Sequence, residues 1–108
     1  MAWRVEILDR RVERELQSLA QDVRQRFLRI AEMIEQHGMK AMQEPHVKHL
    51  EGKLWEMRLK GRGGIARSIY VAASGQRVMV LRTFVKKTET TPRREMEIAF
   101  ARLKEVRE

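Results

Sequence analysis

Cysteine does not occur anywhere in the 108 residues. That excludes disulfides and thiolate metal sites, and it suits a reducing compartment. No apolar run approaches the roughly 20 residues that a membrane-crossing helix needs. The opening "MAWRVEILDRR" also lacks the apolar stretch of a secretory leader. A cytoplasmic chain with no membrane partner is the expectation. Missing chemical signatures narrow the field further. "GRGG" has no Gly-Lys-Ser/Thr ending and sits between strand-like runs, so it reads as a turn and not as a phosphate loop. Ser68 and Ser74 lie in no nucleophile motif, and Ser18 falls on a helix surface. No pair of acids has a setting suited to glycosidase or metal-nuclease work. His46 and His49, flanked by Glu44 and Glu51, would need a third firm ligand to hold zinc. Neither a metal nor a cofactor is expected.

What is present is positive charge, unevenly spread. The net charge is +8. Residues 1–52 hold nine Lys/Arg and nine Asp/Glu, whereas residues 53–108 hold fourteen and six. An excess confined to one half is the footprint of a polyanion-binding face. The alternative is a basic surface that serves solubility or an acidic protein partner.

The length fits a single domain over residues 1–108. Trp3, Val5 and Ile7 alternate with Arg4 and Glu6, which predicts a strand. Asp9 then caps a helical region whose apolar positions run through Val12, Leu16, Leu19, Ala20, Val23, Phe27, Ile30, Ala31 and Ile34 in steps of one, three and four. "AQDV" divides it in two, with Asp22 as a second N-cap. Gly38 sits where a helix end wants a positive φ. Arg11 with Glu15, and Arg29 with Glu32, fit a solvent-facing surface. Residues 39–52, with Pro45 and Gly52, read as a connector. Three strands follow in "KLWEMRLK", "IARSIYVA" and "RVMVLRTFVKK", joined by tight turns and therefore antiparallel. In the last of them Met79, Leu81, Thr83 and Val85 are expected on one face, and Val80, Arg82, Phe84 and Lys86 on the other. A final helix starts at Thr91 as cap and Pro92 as first residue, with Met96, Ala99, Phe100, Leu103 and Val106 as its stripe. The expectation is an α+β fold of order β-α-α-β-β-β-α: a small antiparallel-rich sheet with helices packed on one face.

The open face would then carry Arg58, Arg82, Phe84 and Lys86, while Arg67 lies in line with Ile65, Ile69 and Val71 and its facing stays open; Lys60 and Lys87 complete the strand cations, with Arg62 in the turn and Arg93 and Arg94 at the last helix. Guanidinium forks bind phosphate oxygens in pairs, and an aromatic among them can stack on an unpaired base. Like charges side by side on strands are unfavourable unless an anion joins them. Chemistry needs no metal here, because RNA brings its own nucleophile, the 2′-OH. A base takes its proton, cations hold the phosphorane charge and an acid protonates the leaving 5′ oxygen. A lysine with a lowered pKa among other cations is one candidate base.

"HLEGKLWEMRLKGRGGIARSIYV" and "VMVLRTFVKKTETTPRREMEIA" together resemble the RelE/ParE toxin superfamily, most closely its HigB-like, phage-related branch. "LWExR" and "FVKKTxxTP" are the pieces that carry the likeness, and the element order matches over nearly the whole chain. The resemblance implies the toxin of a type II toxin–antitoxin pair. Such toxins mostly cut mRNA on the ribosome by metal-free 2′-OH attack, and a small helix-turn-helix antitoxin is the expected partner. It implies that Arg67 binds the reacting phosphate, with Lys86, Lys87 and Arg58 as the other basic groups of the site and Arg82 a looser match. Relatives place a tyrosine or histidine near the last strand or the following helix as acid or stacking group. Here Phe84 and Arg93 stand in that region, so Tyr70 and His49 are the substitutes considered. ParE-like relatives instead inhibit DNA gyrase by protein contact, and a basic module that binds nucleic acid or an antitoxin without activity is the third reading.

Overall fold

The elements run β1 (Arg4–Ile7), α1 (Arg10–Gln17), α2 (Gln21–His37), a 3-10 turn (Met39–Ala41), β2 (Val47–Glu51), β3 (Leu54–Gly61), β4 (Gly64–Ala73), β5 (Arg77–Val85) and α3 (Arg93–Leu103). They come from a computed structural model that describes residues 2–41 and 46–107, so Glu44 and Pro45 lie outside the described residues. The strands form one sheet in the order β1-β5-β4-β3-β2. β1 runs parallel to β5, and every other pair is antiparallel.

The α+β class and the predicted order stand, with one strand added. β2 falls inside the stretch expected to be a connector. Only Val47 of its five residues is buried, so it carries almost no alternation to read. It exists because β3 offers it a ladder, with Val47 opposite Met57 and His49 opposite Trp55.

Local chemistry explains the helix ends. The Asp9 carboxylate accepts the Arg11 N–H at 2.9 Å and caps α1. Gly38 closes α2 at φ +75°, and Trp3 lies so near that an added Cβ would meet its ring at 3.3 Å. Two predicted caps serve elsewhere. Ala20, not Asp22, is the N-cap of α2, and Asp22 accepts the N–H of Gly63 at 2.9 Å, tying the β3–β4 turn to the helix. Pro92, not Thr91, precedes α3, and no side chain caps that helix.

Helices cover both faces of the sheet, not one. Val12, Leu16, Leu19, Val23, Phe27, Ile30 and Ile34 of the first two helical segments pack on Met57, Leu59, Ala66, Tyr70, Val78 and Val80. Ala99, Phe100 and Leu103 of α3 pack on Leu54, Ile69, Val71, Met79 and Leu81 from the opposite side. The central strands alternate between two apolar faces, so each face needs its own cover.

β5 departs from strict alternation. Tyr70 pairs with Val80 but Ile69 pairs with Arg82, leaving Leu81 as an extra residue in a bulge. The bulge moves the later side chains to the other face. Arg82 and Phe84 sit with Leu81 and Met79 on the α3 side, whereas Thr83 lies opposite Ser68 and bonds its hydroxyl at 2.7 Å. Glu15 also differs from expectation. It pairs across the fold with Arg82 at 2.6 Å and Arg102 at 2.9 Å, while Arg11 pairs with Asp9 and Glu105.

Candidate nucleic-acid interface

β3, β4 and β5 reach the same end of the sheet, where Gly61 faces Gly64 and Ala66 faces Val85. On the α3 side of that end, the apolar cover supplied by α3 gives way to cations. Arg58, Arg67 and Phe84 form one cross-strand row, and Lys60 lies opposite Ile65 in the next. The Lys86 N–H donates to the Ile65 carbonyl at 2.8 Å, which carries the ladder one residue beyond β5.

These rows border a cleft of about 280 Å³, lined by Arg26, His46, Arg58, Lys60, Ile65 and Lys86. Its size matches the small end of ligand clefts. Among the described residues, five of the six that line it are basic and none is acidic. The Arg58 N–H donates to the His46 carbonyl at 2.8 Å, so the ladder also fixes where His46 stands. Glu89 stands 4.0 Å from Lys86 with a side chain 97% exposed, where water screens it.

Under the cleft lies a buried polar layer. Arg67 Nη1 is 3.1 Å from Glu56 Oε1 and donates to Thr91 Oγ1 at 2.9 Å. Arg67 Nη2 donates to the Glu89 carbonyl at 2.8 Å, and the Thr91 hydroxyl donates to Glu56 Oε2 at 2.7 Å. The Arg67 and Glu56 side chains are 1% and 0% exposed.

The predicted residues therefore divide. Arg58, Lys60 and Lys86 meet in the cleft, and Arg67 lies beneath it. Arg82 is held between Glu15 and Glu95 at 2.6 and 2.7 Å and offers no free fork. Phe84 is half-buried against the α3 cluster. Arg93 pairs with Glu51 at 3.0 Å, and Lys87, Arg62 and Arg94 are exposed outside the cleft lining. Tyr70 faces α2, and burial pushes its phenol up to about 12. His49 bonds the Gly52 carbonyl at 2.8 Å and leans on Trp55, away from the cleft. Two basic lining residues, Arg26 and His46, lie outside the predicted set. Arg26 belongs to the helix on the far face, and nothing in its periodicity says that its side chain rounds the sheet end. His46 reads in the sequence only as a metal-ligand candidate, because the strand that places it, β2, is itself not legible there. Among the described residues, no group of three or more His, Asp or Glu is placed to hold a metal ion, and no helix is long and apolar enough to cross a membrane.

Residues 14–104 match the model of the phage derived protein Gp49-like family (DUF891). Among solved structures, the fold is similar to a chain of the archaeal RelE-RelB complex from Pyrococcus horikoshii OT3. That match has 27% identity and a TM-score of 0.62, and covers 79% of this chain and 96% of the other. It is also similar to an arginine double mutant of E. coli toxin RelE in the free state, at 18% identity and a TM-score of 0.61, over 98% of this chain and 99% of that one. No curated protein matches the sequence significantly.

Proposed function

The chain belongs to the phage derived protein Gp49-like family, within the RelE-like toxin superfamily, and from that premise we propose a toxin that cleaves mRNA in the ribosomal decoding site and is held in check by a cognate helix-turn-helix antitoxin. The observation that carries this reading is the cleft itself, where three strands end and five basic side chains meet with no carboxylate among the described residues that line it. RNA threads there as a polyanion. Arg58, Lys60 and Lys86 hold the phosphodiester, and the exposed Lys87, Arg62, Arg93 and Arg94 guide the strand toward it by charge. The 2′-OH passes its proton to a water molecule as it attacks the adjacent phosphorus, and Arg58 and Lys86 meet the charge that grows on the phosphorane oxygens. The P–O5′ bond breaks, leaving a 2′,3′-cyclic phosphate and a 5′-OH. His46 is the one imidazole that lines the cleft, so it is assigned the proton delivered to the leaving oxygen.

The test is induced expression with mapping of mRNA 5′ ends. Wild type is expected to give in-frame cuts that vanish in Arg58→Ala and Lys86→Ala. His46→Ala is expected to slow cleavage by about 100-fold or more, the scale of a lost general acid. Growth arrest with DNA breaks and intact mRNA would replace this reading with gyrase inhibition. Absence of arrest would leave a basic binding module.

A further inference from the structure

By resemblance Arg67 should grip the reacting phosphate, yet its terminal guanidinium nitrogens are engaged inside the fold. Two of the contacts made by Arg67 reach past the sheet to the loop after β5, one to the Glu89 carbonyl and one to the Thr91 hydroxyl. We propose that Glu56, Arg67 and Thr91 form a latch that closes this loop onto the sheet and so places Lys86 in the cleft. Arg67 is then a positioning residue and not a phosphate ligand. This rests on the RNA-cleaving reading above.

Three observations converge on the latch. Glu56 balances the charge of Arg67 in a layer closed to solvent, so a phosphate would have to displace a buried carboxylate to reach the terminal nitrogens. Nε of Arg67, the nitrogen without a partner, is itself buried. Second, Thr91 lies one residue before Pro92, the cap of α3, and its hydroxyl is turned to Glu56 and Arg67, away from the helix. Third, among the described residues the loop has little else to hold it to the sheet beyond the bond from the Lys86 N–H to the Ile65 carbonyl at its root. The Thr88 hydroxyl bonds the Thr90 carbonyl within the loop, and residues 87–90 are exposed. The ladder bond fixes the backbone of Lys86, and the latch fixes the path of the chain that leaves it through Lys87.

Three variants separate a latch from a ligand. Thr91→Val removes the hydroxyl and leaves Arg67 charged. Thr91→Ser keeps the hydroxyl. The double change Glu56→Met with Arg67→Met removes both charges without orphaning either, a replacement that buried ion pairs tolerate. The latch predicts that Thr91→Val and the double variant speed tryptic cleavage after Lys86 and Lys87 by about tenfold, the scale of one lost hydrogen bond. Thr91→Ser is expected to stay at the wild-type rate. RNA cleavage should fall in kcat for the first two, with Thr91→Ser restoring it. The salt dependence of binding to a short single-stranded RNA should not change in the double variant, whereas Lys86→Ala should flatten the log–log slope by about 0.7, one phosphate contact. Unchanged trypsin rates in Thr91→Val, or a flattened slope in the double variant, would overturn the latch. If the wild type cuts no RNA, the functional reading fails on its own and the trypsin comparison still decides the latch.

Discussion

Tyr70 is the chain's one tyrosine, buried to 1% exposure under α2. Burial raises its folded pKa to about 12, against about 10 in an unfolded chain. The sign follows from linkage. The neutral phenol is favoured in the fold, so this stabilisation is complete below about pH 10 and is lost as the pH climbs through about 12. Tyrosinate absorbance should therefore titrate near pH 12 in the native protein and near 10 in denaturant. Tyr70→Phe should resist alkaline unfolding better than wild type while leaving RNA cleavage intact. A native titration near pH 10 would refute this. At this scale the sequence told residue types but not their depth. Arg67 looked like a face cation, although it lies in line with Ile65, Ile69 and Val71. Those apolar neighbours were the sign that its face is covered.

The β3–β4 hairpin shows how one element depends on another. Its turn lies against the start of α2, where a Cβ on Gly63 would stand 2.5 Å from the Ala20 Cβ and 2.8 Å from Asp22 Oδ1. Gly63→Ala must push backbone away from the helix, and a cost of about 1–3 kcal/mol is expected in chemical denaturation. The same turn holds the Asp22 carboxyl below the usual carboxylate range, chiefly through the Gly63 N–H. That contribution is present above the ordinary carboxylate pKa and fades as the pH falls through the lowered one. In Asp22→Ala the hairpin should lose its attachment without gaining a clash, so its loss should be milder than that of Gly63→Ala. Helices and the three long strands could be read from periodicity because their apolar faces are continuous. β2 could not, having one buried residue, and the bulge at Leu81 could not, because alternation assumes an unbroken ladder. The bulge alone decides that Phe84 packs beside α3 and does not stand free as a stacking ring.

The two layers of the molecule are joined at the open edge of β5. β1 accompanies β5 only as far as Val80, and beyond it the Thr83 N–H is taken by Glu15 Oε1 at 3.0 Å. The same carboxylate binds Arg82 and Arg102, linking α1 on one face to α3 on the other. Its side chain is 15% exposed, so removing it leaves two guanidinium groups poorly solvated. Glu15→Ala is expected to lower stability by about 3 kcal/mol in urea, and a change below about 1 kcal/mol would show the staple to be ornamental. The charge asymmetry belongs to this scale as well. The basic half supplies the cleft, and α2 in the neutral half contributes Arg26 to its wall.

The parallel pairing of β1 with β5 also constrains the order of assembly. β3, β4 and β5 are joined by short turns and can close on one another as each appears, whereas Arg4 must find Arg77 from the far end of the chain. Such distant contacts are slow, because the intervening loop must be ordered first. In a nascent chain the first strand made is thus the last to be satisfied. The cleft-bearing hairpins can form before the sheet that frames them is complete, and the rate of folding should respond to β1 much less than the rate of unfolding.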